Sequence, residues 1–172
     1  MQQPIKERPD QPTWLDYQLE DLRLLDREFR AASLHEVEAA PDIDAAIEVV
    51  ARCFGLGDSQ VLATSIDTPS GAVQIQRESL YHIVEKRRDA RERYAHYALD
   101  TLTGPFEVWK VAYDNDSFRL AFIGVYETKN QMLVVVNIQA GHVLWNFMHS
   151  EAKSLNKHRH GELLYQRYSR WS

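Results

Sequence analysis

The chain is poor in the features that mark secreted, metal-bound or membrane-spanning proteins. It has one cysteine, Cys53, in 172 residues, so no disulfide can form within it and a cysteine-rich zinc site is ruled out. Its longest apolar runs, such as residues 132–136, fall far short of the ~18–20 residues that a spanning helix needs. The first residues lack the apolar stretch of a signal peptide, and the chain reads as soluble and unprocessed. There is no internal repeat and no low-complexity tract. Also missing are a glycine-rich phosphate loop, a His-Glu-x-x-His pair, a Gly-x-Ser-x-Gly elbow and the carboxylate-rich run of a two-metal nuclease. These absences remove most nucleotide-hydrolysing, metalloprotease and serine-hydrolase chemistries.

What is present is unevenly charged. The formal net charge is −5, which argues weakly against generic nucleic-acid binding, but residues 1–60 hold thirteen Asp and Glu against six Lys and Arg. The rest of the chain is therefore mildly basic. From Glu151 to the end, Lys153, Lys157, Arg159, Arg167 and Arg170 face only Glu151 and Glu162, with His158 and His160 beside them. Such an asymmetry suits an acidic front and a basic functional domain.

Residues 1–13 hold three prolines and little apolar surface and read as an extended arm. Trp14, Leu15, Leu19, Leu22, Leu25 and Phe29 recur at helical spacing, which predicts an amphipathic helix over 14–32. A second helix is expected from Asp42, with Ile43, Ile47, Val50 and Phe54 as its stripe and Gly55 and Gly57 as its end. The two helices either complete the fold or form an acidic docking or masking module. Residues 61–65 and 72–76 flank Thr68-Pro69-Ser70-Gly71 and predict a hairpin. Short helices are expected over 80–86, capped by Ser79, and over 90–102, stopped by Gly104-Pro105.

Four apolar, β-branched or aromatic runs follow, over 106–113, 118–126, 132–139 and 143–148. Connections this short join antiparallel neighbours. The expected fold is α+β, a small antiparallel sheet of about four strands packed against helices. It divides into an acidic helical segment over 1–58 and a functional domain over 59–172.

The remaining chemistry belongs to His, Arg, Lys and Tyr. These are the groups of metal-independent RNA cleavage, in which a base removes the 2′-hydroxyl proton, cations stabilise the phosphorane and an acid protonates the leaving oxygen. His82 stands in the helix after the hairpin, one turn before Lys86, Arg87 and Arg88. It is either a solvated surface residue or an acid/base group. Lys157-His158-Arg159-His160-Gly161 precedes an apolar pair and Tyr165. That run is either a basic loop before a last strand or a phosphate site, in which arginine makes a bidentate contact and tyrosine stacks or orients. His142, His149 and His160 lack the helical spacing or carboxylate partner that would make them a metal site. Trp109 and Trp145 lie in strands and are expected in the core, and Cys53 packs in its helical stripe.

Leu80-Tyr81-His82-Ile83, then 102–109 with its Gly104-Pro105-Phe106-Glu107-Val108-Trp109, then paired strands, then Arg159-His160-Gly161-Glu162-Leu163-Leu164-Tyr165 together resemble a phage-associated nuclease domain. It belongs to the barnase/EndoU/colicin/RelE-like group, found at the C-terminus of Mu-like phage head-morphogenesis proteins, and the similarity spans roughly residues 61–168. The resemblance implies an antiparallel sheet on helices and a metal-independent ribonuclease site on the open sheet face. It places the family's histidine on His82, the arginine of its Arg-x-Gly-x-Leu-x-Tyr ending on Arg159 and its tyrosine on Tyr165, with Glu107 and Trp109 in its strand opening. Where relatives carry threonine or serine late in the last long strand, this chain has Trp145-Asn146-Phe147-Met148, so a hydroxyl there would have to come from Ser150.

The expectation is a metal-independent endoribonuclease of phage or prophage origin, using no cofactor and acting on tRNA or other structured RNA. His82, Arg159 and Tyr165 are its expected catalytic residues, and Lys86, Arg88, Lys157 and His160 its substrate contacts. It would act in the host cytoplasm or the phage virion and would have no membrane partner. The alternative is an inactive virion module docked by its acidic helices to a head or portal protein. In a third reading the acidic front masks a toxin or binds its inhibitor.

Overall fold

The apolar runs after residue 105 form the strands that their composition calls for. In a computed structural model that describes residues 4–168, β3 (Glu107–Ala112), β4 (Phe118–Gly124), β5 (Asn130–Ile138) and β6 (His142–Glu151) make an antiparallel meander. Arg170 of the basic tail lies outside the described residues. The sheet is wider than the expected four strands. It has seven, in the order β1-β2-β6-β5-β4-β3-β7.

The three extra strands pair with distant partners. The predicted hairpin is present as β1 (Ala63–Thr68) and β2 (Gly71–Gln76), and β2 joins the meander through a short parallel pairing, Val73 with His142 and Gln74 with Val143. A parallel neighbour requires a long crossover, and the chain between β2 and β6 supplies one. At the other edge β7 (Glu162–Gln166) runs antiparallel to β3. Its entry depends on Gly161 at φ +101, where a Cβ would collide with the carbonyl oxygen of Lys110.

Helices cover one face of the sheet. In α1 (Ile43–Cys53) the Asp42 carboxylate accepts the Ala45 N–H at 2.8 Å, and Gly55 at φ +86 follows the end. Ala46, Val50 and Phe54 pack with Ala95, Ala98 and Leu102 of α3 (Ala95–Thr103) onto Leu120, Phe122, Val134 and Phe147. Between them lies α2 (Leu80–Val84), shorter than expected; Ser79 makes no side-chain cap and ends a 3-10 turn instead. The expected helix over 90–102 is split, with a 3-10 turn over Arg91–Tyr94 before α3.

The second face is covered by the N-terminal segment, and here the helical expectation fails. Residues 14–32 hold only two one-turn 3-10 helices, Leu22–Leu24 and Arg27–Phe29. Leu15 and Leu24 of the supposed stripe are 66% and 69% exposed, whereas Leu22 and Leu25 pack with Trp109, Ile123, Leu133 and Leu155. Isolated helices of this length are marginal in water, so tertiary bonds decide the conformation. The strap is tied to the sheet by Arg8 N–H to Ala112 O, Trp14 N–H to Arg159 O and Ala31 N–H to Val125 O, each 2.9 Å. Residues 4–58, expected as a segment set apart, contribute to both cores.

One ion pair joins the strap, β3 and the turns α4 (Ala152–Leu155) and Asn156–His158. Arg159, 1% exposed, donates through Nε and Nη2 to the two oxygens of Glu107, each at 2.7 Å. Its Nη1 donates to Glu20 O at 2.9 Å and to Asn156 Oδ1 at 3.0 Å, and Trp109 Nε1 donates to Glu107 at 2.9 Å. Removing one member strands a buried charge, so Arg159→Met should lower stability by about 3–5 kcal/mol. In thermal melts this corresponds to a fall on the order of 10 °C, and the Glu107→Gln, Arg159→Met double variant should lose less. A single variant as stable as the parent would contradict this role.

Candidate active site

The strap covers the end of the second face around Trp109, Leu133 and Ile123. The other end is only partly buried. Cross-strand register pairs Val111 with Arg119, Arg119 with Asn137 and Asn137 with Val143, which puts all four side chains on that face. In β6 the pairing slips: Val135 opposes Asn146 while Val136 opposes Leu144, so Trp145 is the extra residue of a β-bulge. A bulge re-aims its side chain. Trp145, beyond the two residues of β6 that pair with β2, is therefore half-buried beside α2 rather than in the core as expected.

His82 of α2 stacks on this indole, ring centroids 5.1 Å apart and planes 29° apart. The Arg119 guanidinium lies 6.0 Å from the same ring and 4.5 Å from that of Tyr113. A continuous strip thus runs from His82 through Trp145 and Arg119 to Tyr113. Among the described residues Arg119 makes no ion pair with a carboxylate, so its charge is available to an incoming anion. Polar capacity is also left over: Asn137 is 8% exposed, yet its Oδ1 has no hydrogen-bond partner among the described residues, nor does Arg91 Nε. Buried polar atoms are rarely left so. Arg91 spends Nη1 on Asn146 Oδ1 at 2.9 Å.

Beyond Tyr113 the strip meets the strap. Glu7, Tyr113, Arg119 and His158 line a small cavity of about 30 Å³. Burial holds the His158 imidazole below the ordinary histidine range and so favours its neutral form. His160 Nε2 lies 2.7 Å from Glu7 Oε2, and that hydrogen bond raises the His160 pKa and lowers that of Glu7.

The sequence-selected residues separate. His82 is exposed on the strip, with Lys86 and Arg88 exposed just after α2. Arg159 precedes β7 and its guanidinium is held on Glu107 of β3, which β5 and β4 separate from β6, ~14 Å across the sheet at ~4.8 Å per strand. The structure therefore does not bring His82 and Arg159 together, and the Arg159 guanidinium is committed to Glu107. Tyr165 is half-buried on the edge strand β7, opposite Val108. Lys157 is exposed, and His160 is engaged by the strap. Arg119 carries only a weak signal in the sequence, as the one cation in the otherwise apolar run 118–124. Trp145 had no usable signal, because only strand pairing reveals its bulge. Among the described residues no three His, Cys, Asp or Glu side chains form a metal-ligating group, and no helix is long and apolar enough to cross a membrane.

The Glu7–His160 contact ties the strap to the site by charge. A raised histidine pKa contributes stability that is complete below the unfolded value and is lost as pH rises through the folded one. A lowered carboxylate pKa contributes stability that is lost as pH falls through its folded value. Protection of the Arg8 amide from hydrogen exchange, corrected for intrinsic rate, should therefore peak at mildly acidic pH and decline on both sides. His160→Gln should flatten the profile, and a flat profile in the parent would count against the clamp.

These features coincide with the region that known proteins share. No curated protein and no solved structure matches the chain. Residues 51–166, from the end of α1 to the end of β7, match the family model described as phage-Barnase-EndoU-ColicinE5/D-RelE like nuclease2. The match spans more than half the sequence and takes in His82, Arg119, Trp145 and Arg159 together, and the chain belongs to this family of phage-associated nucleases.

Proposed function

We propose that this nuclease cleaves RNA without a metal ion, by attack of a ribose 2′-hydroxyl on the adjacent phosphorus. One observation carries the reading: His82 of α2 and Arg119 of β4, from opposite faces of the sheet, approach one partly buried indole ring, Trp145, where β6 runs past its pairing with β2. A base lying against Trp145 would present its phosphate between an imidazole and a free guanidinium. Aromatic stacking and cationic contact are the usual means of holding a single strand.

In this scheme one histidine removes the 2′-hydroxyl proton as the new oxygen–phosphorus bond forms. Arg119 donates to the charged phosphorane oxygens. A second histidine returns a proton to the departing 5′-oxygen as its bond to phosphorus breaks, leaving a 2′,3′-cyclic phosphate and a 5′-hydroxyl. His82 and His158 are the two proton carriers, standing on either side of Arg119. Lys86 and Arg88 hold the strand by its phosphates. Arg159 acts through position, fixing the strap and β3, and Tyr165 has no part in the chemistry. Structured RNA in the host cytoplasm, tRNA included, is the proposed substrate, whether the protein acts there freely or arrives with the virion.

Total RNA incubated with the purified protein in EDTA should be degraded and should yield cyclic-phosphate ends. His82→Ala and Arg119→Ala should each slow cleavage by about 10²- to 10⁴-fold with little change in melting temperature. Arg159→Lys should shift the melt more than the rate. Cleavage that chelation abolishes, or that all variants share equally, would overturn the scheme. An inert protein that co-purifies with head components would favour the virion-module alternative.

A further inference from the structure

Where the strap meets the β3–β7 edge of the sheet it leaves an open cavity of about 620 Å³, within the ~300–1,000 Å³ of ordinary ligand pockets. Part of its lining is apolar. Leu25 and Phe106 are buried there, and Phe29 stands against Tyr168 with ring centroids 4.1 Å apart. Tyr17 also lines it, held edge-on to Trp109 at 5.2 Å and donating its hydroxyl to Gly161 O at 3.2 Å. Glu107 and Arg159 reach the same cavity, but their charges cancel in the buried pair.

Three more carboxylates line the opening, those of the exposed residues Glu20, Asp26 and Glu28. Among the described residues none of the three joins an ion pair, and Asp26 does not cap the turn that follows it. The arginines of the strap are engaged elsewhere. Arg23 pairs with Asp21 at 2.7 Å, Arg27 pairs with Glu127 at 3.0 Å, and Arg30 donates to Leu22 O and Leu25 O. All three line a separate cleft beside the β4–β5 turn. Arg167, 5.7 Å from the Phe106 ring, donates to Phe29 O at 2.7 Å and to Gly104 O at 3.1 Å. Three carboxylates against that cation leave the opening negative around an aromatic interior.

Such a site fits a cation carried on an apolar stem. Arginine meets both requirements, because its planar guanidinium stacks on aromatic rings and takes carboxylates in two-pronged contact. The same carboxylates repel a phosphate backbone, so the cavity is no second path for nucleic acid. Its surroundings favour a protein as the source of the arginine. Leu15, two residues before Tyr17, Leu24, next to Leu25, and Tyr168 are all exposed. Apolar side chains standing out around an aromatic pocket are the usual anatomy of a protein interface. We infer that the cavity is a docking site for a protein partner, which inserts an arginine between the aromatic lining and Glu20, Asp26 and Glu28. The site lies at the β3–β7 edge, with β4 and β5 between it and β6. The partner therefore docks away from Trp145, and the inference does not depend on RNA cleavage.

Displayed random peptides selected on the immobilised intact protein test this surface. The recovered sequences should share an arginine with apolar neighbours. Made as a free peptide, the best of them should shift the amide NMR signals of Leu19, Asp26, Phe29 and Tyr168. Its citrulline version, which keeps the shape and loses the charge, should bind at least about threefold more weakly. The Asp26→Asn, Glu28→Gln double variant should weaken the arginine peptide by about 3- to 10-fold and, since both residues are exposed, should melt like the parent. Recovered peptides without arginine, no recovery at all, or binding indifferent to the double variant overturns the docking site. So does acetylated arginine amide bound as tightly as the peptide, which would make the cavity a site for small cations. Binding seen only with the Arg170→Ala protein would make the chain's own tail the occupant and overturn the partner. Each readout is binding, so the result stands whether or not the protein cuts RNA.

Discussion

A guanidinium and a carboxylate shut away from water hold the rest of this molecule in place. Arg159 and Glu107 meet in a two-pronged pair, 1% and 2% exposed, and every nearby element contributes to it. Trp109 and Asn156 add side-chain bonds, Glu20 adds a backbone carbonyl, and Trp14 lies 5.3 Å from the guanidinium. Such a pair gains little over an apolar substitute, but its geometry tolerates few alternatives. It fixes where the strap crosses the sheet and where β7 begins, and so decides which half of the sheet face is sealed.

The sealed half and the half-exposed half have different chemistry. Under the strap the face is apolar, with Trp109, Ile123 and Leu133 against Leu22, Leu25 and Leu155. Past the strap the same strands turn polar and cationic, with Arg119, Asn137 and the bulged Trp145. The strap's own Glu7 reaches that border and pairs with His160, so the acidic front is part of the rim of the site as well as a cover for the core.

Much of the architecture was legible in the residues. The meander followed from β-branched and aromatic runs separated by short polar breaks, and α1 from an Asp42 cap and a Gly55 stop. The hairpin followed from Thr68-Pro69-Ser70-Gly71, and the nuclease family from the order of short motifs ending at Tyr165. The strap was misread because Trp14, Leu19, Leu22 and Leu25 have helical spacing. Their burial is supplied by a sheet encoded some hundred residues later, and bonds to Ala112 and Val125 outweigh local propensity.

Local pattern by itself determined the strands of the meander, the first helix, the lack of any disulfide and the place of His82 on a short helix after the hairpin. Only the folded chain decided what the two conspicuous arginines do. Arg159 stands in the motif that resembles a phosphate site, yet it is neutralised by Glu107, 52 residues away in the chain. Arg119 stands in an unremarkable strand, yet it makes no carboxylate pair among the described residues and faces an indole turned outward by a bulge. Periodicity tells a residue which face it shares, because the strand repeat is a property of the backbone. Whether a charge on that face is quenched or free depends on which distant partner the fold sets beside it.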